Sequence, residues 1–257
     1  MRNVNDTTLV KDMNIPGTHD TMALYSIGDL AGQCQSLKLQ DQLNIGVRFL
    51  DIRLQLVDNQ LKAVHGFVDQ RDNFENIVNT VGSFLKTHNS EFVIMSIKEE
   101  AEAKKSSISF DSAVKQYQKS YWYTPENIAT TTLGQLRGKL VVLSRYANST
   151  IGIPAFAGWL DNATFDLPNG IHVQDEYKLK KVETKLEAIK TCFSSTSESL
   201  KINFLSGYID GGFPPSYAPS VANTINPWIK ENIKNYNNRG IVLYDFVTSE
   251  LMKGWFK

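Results

Sequence analysis

The sequence predicts an α/β fold, a single parallel (β/α)8 barrel of the TIM type that takes up residues 1–257. Two observations support this prediction. Apolar segments of strand length alternate with segments whose apolar residues have helical spacing, and no linker, repeat or low-complexity tract divides the chain. Closure by an eighth strand is inferred, because only seven are clear. These seven cover residues 13–15, 47–54, 92–97, 140–143, 171–173, 202–205 and 241–244.

Four helices are predicted between these strands, because apolar side chains recur there every three or four residues. They cover residues 74–85, 110–121, 182–193 and 221–233. Pro227 interrupts the last pattern, and we expect that helix to start late, at the proline. The aromatic and aliphatic stripes are typical of helix faces that pack on a sheet.

The charge balance excludes a partner held by net positive charge. Lys plus Arg and Asp plus Glu number 27 each, so no basic field is available for nucleic acid or an anionic bilayer. No apolar run is long enough to span a membrane, and the N-terminus lacks the apolar core of a signal peptide. Two locations of the protein fit this sequence: the cytosol, or secretion as a mature chain whose leader has been removed. Cys34 and Cys192 are two thiols or one bridge.

The end of the first predicted strand carries the first candidate site residues. Pro16 and Gly17 are expected to stop that strand, and the turn that they make presents His19 and Asp20. A proton carrier next to a carboxylate suggests catalysis. An ordinary turn, in which Asp20 bonds its own backbone, fits these residues equally well.

Side-chain alternation brings further charged residues to one end of the barrel. In residues 47–54 the inward face starts with Val47 and Phe49 and ends with Asp51 and Arg53. Three other strands also end in inward charge: Lys98 and Glu100, Arg145, and Asp245. The carboxyl ends of parallel barrel strands form the functional mouth, so this pattern predicts one site. For any single residue, an ion pair at the rim is the alternative.

His65 ends a short strand that returns from the turn at residues 58–60. With a three-residue hairpin loop, Arg53 and His65 face each other, about 5 Å apart at Cβ. With a two-residue loop the register shifts by one, and Val64 takes that place.

Two imidazoles at one mouth suit a reaction in which one proton is taken and another is given near neutral pH. Asp20 and Asp245 could orient the imidazoles, and Arg53 offers a planar fork for two phosphate or carboxylate oxygens. This combination points to phosphoryl transfer from a hydroxyl or from water. His88 and His172 lack such neighbours, and His88 is expected at a solvated helix end.

Six motifs extend this interpretation over nearly the whole chain, from Asn14 to about Asp245. They are Ile-Pro-Gly-Thr-His-Asp, Gly-Val-Arg-Phe-Leu-Asp-Ile-Arg, Val-His-Gly, Ile-Met-Ser-Ile-Lys-Glu-Glu, Leu-Ser-Arg-Tyr and Val-Gln-Asp-Glu-Tyr. In this order they resemble the bacterial phosphatidylinositol-specific phospholipases C. The resemblance implies a distorted, incompletely closed barrel, a secreted monomer, a phosphatidylinositol lipid as substrate and no cofactor.

The resemblance also implies roles for the candidate catalytic residues. His19 would be the general base for the inositol 2-hydroxyl, oriented by Asp245. His65 would be the general acid that protonates the departing diacylglycerol oxygen. Arg53 would hold the phosphate oxygens, and Asp20 would position Arg53 and the acid. The products would be diacylglycerol and inositol 1,2-cyclic phosphate.

Four further positions match the part of the motifs that holds the inositol ring. Lys98, Arg145 and Asp175 would hydrogen-bond its hydroxyls, and Tyr177 would lie against a ring face. Trp159 would belong to the same pocket. An ordinary core aromatic is the alternative for Tyr177.

Metal-independent cleavage is expected from the same comparison. Larger eukaryotic relatives carry acidic calcium ligands where this chain has Arg53 and Lys98, and two cations there would repel a hard divalent ion. Two rival functions remain: a metal-dependent glycerophosphodiester or sphingolipid phosphodiesterase, and a non-catalytic inositol-lipid-binding module. The presence of both His19 and His65 disfavours a binding module.

Membrane contact is expected to be weak. Residues 28–32, where bacterial relatives carry an exposed tryptophan, contain no aromatic residue. Phe213 and Tyr217, in a Gly/Pro-rich loop, are the candidate contacts with a bilayer. A plain surface turn is the alternative for that loop.

Overall fold

A computed structural model describes residues 1–26, 32–209 and 218–255. In these ranges the strands are β1 (Asn14–Thr18), β2 (Phe49–Val57), β3 (Gln60–His65), β4 (Val68–Asn73), β5 (Val93–Lys104), β6 (Trp122–Tyr123), β7 (Leu140–Arg145), β8 (Ile153–Pro154), β9 (Thr164–Leu167), β10 (Ile171–Gln174), β11 (Lys178–Leu179), β12 (Leu200–Phe204), β13 (Tyr208–Ile209) and β14 (Gly240–Tyr244). The α-helices are α1 (Leu39–Asn44), α2 (Phe74–Thr87), α3 (Phe110–Lys115), α4 (Leu133–Leu136), α5 (Val182–Ser194), α6 (Ala218–Asn232) and α7 (Ser249–Met252). Short 3-10 helices cover Val10–Asp12, Ile128–Thr130 and Ile233–Asn235. No helix in the described part of the chain has the length and apolarity to cross a membrane.

One curled sheet follows the order β6-β7-β5-β2-β1-β14-β12-β10-β9. Neighbours pair in parallel from β6 to β10, whereas β9 joins β10 antiparallel. The predicted fold class is therefore confirmed, and β6 is the eighth parallel strand. It has only two residues, and among the described residues no strand pair joins the β6 end of the sheet to β9. The barrel is incompletely closed.

Alternating side chains of the sheet divide the core into two layers. The interior holds residues such as Ile15, Phe49 and Leu243. Their neighbours Leu50 and Val242 face outward and pack with the helices. Val47 also packs in this outer layer, so its predicted inward position was wrong. The alternation does not reach Val47 because β2 begins only at Phe49.

The first strand continues through the two residues expected to stop it. Pro16 and Gly17 lie inside β1, and the Pro16 carbonyl accepts a hydrogen bond from the Arg48 amide. A Cβ on Gly17 would be 2.9 Å from the Cβ of Phe49, so glycine permits this close strand pair. The turn comes later, at Asp20, which has a φ of 41°.

Two predicted helices have different limits. The second ends at Lys115 and tightens into turns in which the Tyr117 amide donates to the Val114 carbonyl. This leaves Trp122 free to pair in β6. The fourth contains Pro227 in its interior, because the turns before the proline bury Val221 against the outer core layer.

Candidate active site

Three cationic side chains form a row across neighbouring strands. Parallel register pairs Arg53 of β2 with Lys98 of β5, and Lys98 with Arg145 of β7. Paired positions lie about 4.8 Å apart and point to the same side of the sheet. Such close like charges repel one another unless anions lie between them. The row is therefore suited to an anionic ligand and depends on nearby carboxylates.

Asp51 anchors two members of the row. Arg53 donates to Asp51 Oδ2 from Nε at 3.2 Å and Nη2 at 3.0 Å, and Arg145 Nη1 donates to Oδ1 at 3.3 Å. Burial alone would raise the pKa of Asp51, but Arg53 and Arg145 hold it well below its usual range. The carboxylate thus remains charged and fixes both guanidinium groups.

Glu100 is the second anion of the row, and sequence reasoning assigned it no role although it shares the inward face with Lys98. Its Oε2 lies 2.6 Å from Lys98 Nζ, and its Oε1 lies 3.6 Å from Arg53 Nη1. Burial raises the pKa of Glu100, yet Arg53 and Lys98 lower it below its ordinary value. The alternation of side chains along the strand puts Glu100 on the same face as Lys98, two residues earlier, and this pattern could have indicated the contact.

The first and last strands of the barrel bring His19 and Asp245 together. Because Thr18 pairs with Tyr244 in register, the next residue of each strand has the other as its neighbour. His19 Nδ1 lies 2.7 Å from Asp245 Oδ1, and the His19 amide donates to the Tyr244 carbonyl at 3.0 Å. The Asp245 side chain is buried, so this pair is shielded from solvent.

The second ring nitrogen of His19 faces Arg53. Nε2 lies 2.8 Å from Arg53 Nη2, which can only donate. The proton of a neutral His19 therefore sits on Nδ1, and Nε2 presents a lone pair. Burial lowers the pKa of His19, Asp245 raises it and Arg53 lowers it again; the balance leaves it above its ordinary value.

The β2–β3 hairpin has the shorter of the two loops considered. Val57 pairs with Gln60 across the turn residues Asp58 and Asn59, both of which have positive φ. Continued by one residue beyond the Leu54–Ala63 pair, this register puts Val64 opposite Arg53. The direct opposition of Arg53 and His65 was therefore wrong.

His65 nevertheless reaches the site from the end of β3. Its Nδ1 lies 2.8 Å from the Gly32 carbonyl, which leaves Nε2 for a ligand. Asp20 Oδ2 lies 3.6 Å from both His65 Nδ1 and Arg53 Nε. Burial raises the pKa of Asp20, although Arg53 and His65 oppose that rise. Asp20 does not bond its own turn with its side chain; its amide donates to Asp51 Oδ2 at 3.2 Å.

The remaining candidates form one wall of the site. The Arg145 guanidinium carbon lies 3.6 Å from the centre of the Trp159 ring, and Trp159 Nε1 donates to Asp175 Oδ2 at 3.2 Å. The Tyr177 hydroxyl donates to Asp161 Oδ1 at 2.6 Å. Tyr177 is partly exposed and lies outside the core, so the core-aromatic alternative was wrong. Nothing in the sequence indicated the Asp161 contact.

These walls enclose a pocket of about 680 Å³. The lining contains ten of the candidate and neighbouring side chains: His19, Arg53, His65, Lys98, Glu100, Arg145, Trp159, Asp175, Tyr177 and Asp245. Both imidazoles therefore open onto the same space. Asp20 lies beneath it, buried against His65 and Arg53.

Other residues singled out from the sequence lie elsewhere. His88 directly follows α2, where it is exposed and stacks on Phe84, as expected for a solvated helix end. His172 Nδ1 lies 2.8 Å from Asp166 Oδ1, so the expectation that His172 lacks a carboxylate neighbour was wrong. Cys34 and Cys192 are both free thiols, so they form no bridge.

The two candidate membrane contacts, Phe213 and Tyr217, lie outside the described residues. Cys34, unlike these, lines the pocket. No pattern in the sequence indicated its position there.

Two imidazoles, buried carboxylates and a cationic row around one pocket of a half-open barrel define an acid–base site for an anionic substrate. A sequence model described as phosphatidylinositol-specific phospholipase C, X domain, matches residues 13–146, more than half of the chain. The protein belongs to that family.

Known proteins of this kind resemble the chain over nearly its full length. The 1-phosphatidylinositol phosphodiesterase of Listeria monocytogenes is 29% identical over 268 residues, which cover 98% of this chain and 82% of the relative. The solved structure of the Listeria monocytogenes phosphatidylinositol-specific phospholipase C has a TM-score of 0.79 at 25% identity, covering 99% and 95% of the two chains. A pentafluoro-Phe variant of the Staphylococcus aureus enzyme has a TM-score of 0.84 at 26% identity, covering 98% and 95%.

Proposed function

We propose that this protein cleaves phosphatidylinositol to diacylglycerol and inositol 1,2-cyclic phosphate by general acid–base catalysis without a metal. One observation carries the proposal. His19, with its proton held on Nδ1 by Asp245, opens onto the same pocket as His65 and the Arg53 guanidinium. Membership of the family and the similarity to the named relatives also support the proposal.

His19 is the general base of the proposed reaction. When substrate enters, the inositol 2-hydroxyl takes the position at Nε2 that Arg53 Nη2 now holds. Nε2 accepts the hydroxyl proton as the oxygen attacks phosphorus, and Asp245 stabilises the imidazolium that forms. A positioned base of this kind contributes about a hundred- to ten-thousandfold in rate.

His65 is the general acid for the leaving group. With Nδ1 hydrogen-bonded to the Gly32 carbonyl, the protonated ring offers its Nε2 proton to the diacylglycerol oxygen. The bond from phosphorus to that oxygen breaks as the proton arrives, so no alkoxide accumulates. Asp20 holds the ring and Arg53 in their relative positions.

Arg53 binds the phosphate, and the wall beside it binds the ring. The guanidinium fork fits two non-bridging oxygens and stabilises the charge that develops on them. Lys98, Arg145 and Asp175 provide donors and an acceptor for ring hydroxyls, while Tyr177 supplies an aromatic face. The stacking of Arg145 on Trp159 keeps that donor in place.

The proposal includes weak docking of the protein on a membrane. The side chains that would make this contact lie at the pocket mouth, and the sequence did not indicate them. Three of the large exposed apolar side chains in the described ranges line the pocket mouth: Phe67, Phe156 and Leu160 are 85%, 54% and 52% exposed. In a bound substrate, the diacylglycerol part extends out of the pocket past these side chains and into the bilayer. We propose a lipid bilayer as the partner of this rim, defined as Phe67, Phe156 and Leu160.

Phosphorus NMR of the products tests the reaction. Wild type and His19→Ala are incubated with phosphatidylinositol in excess chelator, and a cyclic phosphate signal is expected first. His19→Ala should slow its appearance by about a hundredfold or more. A linear phosphate as the first product, or activity only after magnesium is added, would instead support a metal-dependent phosphodiesterase. Binding without turnover would support an inositol-lipid-binding module.

A further inference from the structure

We propose that the floor of the pocket holds a second, inhibitory site, in which Cys34, His65 and Asp20 bind a thiophilic divalent cation such as Zn²⁺. The metal binding stands on geometry alone. The inhibition rests on the proposed function, because it follows from the role given to His65.

The three ligand atoms are already close to one another. Cys34 Sγ lies 3.9 Å from His65 Nδ1, His65 Nδ1 lies 3.6 Å from Asp20 Oδ2, and all three atoms are within 4.8 Å of one another. Ligands on a tetrahedral zinc ion, at bond lengths of about 2.0–2.3 Å, stand roughly 3.3–3.8 Å apart. Shifts of an ångström or less therefore bring all three onto one ion.

An unsatisfied buried oxygen points into this site. Asp20 is 1% exposed, and its Oδ2 accepts no hydrogen bond from any described residue, although Arg53 Nε and His65 Nδ1 each lie 3.6 Å away. A buried carboxylate oxygen without a donor is costly. A cation bonded to Oδ2 satisfies it.

The backbone around Cys34 is held rigidly, which favours a preformed site. The Cys34 amide donates to the Ala23 carbonyl, and the Cys34 carbonyl accepts from the Phe246 amide. Next to it, the Gln35 side chain donates to the His19 and Tyr244 carbonyls, each at 2.8 Å. The thiol is thus fixed between the ends of β1 and β14 and lines the pocket through which a metal enters.

A second group of possible ligands shares Cys34 but is less suited to a metal. His19 and Asp245 also lie within 4.8 Å of the thiol. Both ring nitrogens of His19 are already engaged, by Asp245 and by Arg53. In the first group, a metal replaces the hydrogen bond from His65 Nδ1 to the Gly32 carbonyl and the 3.6 Å contact of Asp20 Oδ2 with Arg53 Nε, and it leaves the His19–Asp245 pair intact.

The charge and ligand types select the metal. Burial raises the pKa of the Cys34 thiol, and the nearby carboxylates Asp245, Asp20 and Asp51 raise it further, whereas Arg53 opposes them. The negative charge of these three carboxylates attracts a cation. A sulfur, a nitrogen and one oxygen suit zinc or cobalt and not calcium or magnesium, which require several oxygen ligands.

Binding displaces protons in a way that stops the proposed reaction. The thiol proton goes to solvent, and the proton of a neutral His65 moves from Nδ1 to Nε2 as the metal takes Nδ1. A metal-bound imidazole loses its Nε2 proton only by becoming an imidazolate. His65 is then unable to act as the general acid.

Cobalt spectroscopy and zinc inhibition test the site on wild type, Cys34→Ser and the matched control Cys192→Ser. Thiolate-to-cobalt absorption is expected for wild type and Cys192→Ser and not for Cys34→Ser. Zinc should inhibit the first two proteins, and Cys34→Ser should need at least about tenfold more zinc while keeping its activity in chelator. Asp20→Asn should weaken cobalt binding by about tenfold or more, which gives a second variant if Cys34→Ser is unstable.

The proposal is overturned if cobalt produces no thiolate absorption on wild type, or if Cys34→Ser retains the absorption and the full zinc sensitivity. These outcomes are separate from failure of the proposed function. The absorption reports binding even in a protein that cleaves nothing, and absent lipid cleavage with normal absorption would remove only the inhibitory role.

Discussion

His19 Nδ1 lies 2.7 Å from Asp245 Oδ1, although 226 residues separate the two in the chain. The contact exists because β1 and β14 pair in parallel, so the residue that follows each strand has the other as its neighbour. Asp245 is 2% exposed, so little of this carboxylate is in contact with water. The tautomer and the basicity of His19 therefore depend on one buried carboxylate.

Replacing Asp245 by Asn should change both the rate and its pH dependence. Burial and Arg53 lower the pKa of His19, but Asp245, together with Asp51, raises it above its ordinary value. A base must be unprotonated to act, so kcat/KM falls as pH drops through this pKa. In Asp245→Asn the pKa falls, and the acidic limb should move to lower pH while the plateau drops about tenfold or more. Profiles of kcat/KM between pH 4 and pH 9, roughly centred on the ordinary histidine pKa of about 6.5, measure both effects. An unmoved acidic limb would show that this limb belongs to another group.

Removal of divalent metals should leave cleavage intact. Arg53, held by Asp51 and flanked by Lys98, puts positive charge beside the pocket, whereas a calcium ion needs several oxygen ligands. Activity on a short-chain phosphatidylinositol should be unchanged or raised in excess chelator. Loss of activity, with recovery on calcium or magnesium, would contradict the assignment of Arg53 as the charge that stabilises the phosphate.

Serine substitutions in the rim should separate membrane docking from chemistry. Phe67→Ser and Phe156→Ser each delete an exposed apolar side chain at the pocket mouth. Burying one such side chain fully in lipid contributes about 1.5–3 kcal/mol to membrane binding. Binding to phosphatidylinositol-containing vesicles should weaken about threefold or more in each variant, and turnover of a monomeric short-chain substrate should persist. Val4→Ser is the control, because Val4 is exposed but does not line the pocket. Equal losses on vesicles and on monomeric substrate would count against the rim as a docking surface.

Lys185 should destabilise the protein near neutral pH. Its ammonium is fully buried and bonds Gln174 Oε1 and the Glu176 carbonyl. Burial lowers the pKa of Lys185 from 10.5 to about 8, which corresponds to about 3 kcal/mol. The charged form carries this cost in full below pH 8, roughly, and the cost disappears as pH rises towards the unfolded value of about 10.5.

The measurement is the difference in free energy of unfolding between Lys185→Met and wild type in urea, at several pH values. Methionine should be the more stable near pH 7, by less than the full amount because two hydrogen bonds are lost. The gap should shrink above about pH 8. A gap that does not vary with pH would show that Lys185 keeps its ordinary pKa in the fold.

Local pattern in the sequence was enough to predict the fold class and the inward faces. Hydrophobic periodicity located α2 and the central strands, and period-two alternation put Arg53, Lys98, Arg145 and Asp245 at the mouth. Alternation has this power because the pleat itself dictates the face of each side chain. Local pattern failed at Val47 and at Pro16, because the ends of these strands depend on hydrogen bonds with the neighbouring strand.

The charge row and its chemistry were thus determined by the sequence itself, through residue type and strand parity. The tertiary structure alone decided which charges meet: Asp51 between two guanidinium groups, Glu100 on Lys98, Asp161 on Tyr177, and Cys34 beneath both imidazoles. Those contacts join segments far apart in the chain, and their distances follow from strand register and sheet curvature. Neither quantity is encoded in a local pattern of side chains.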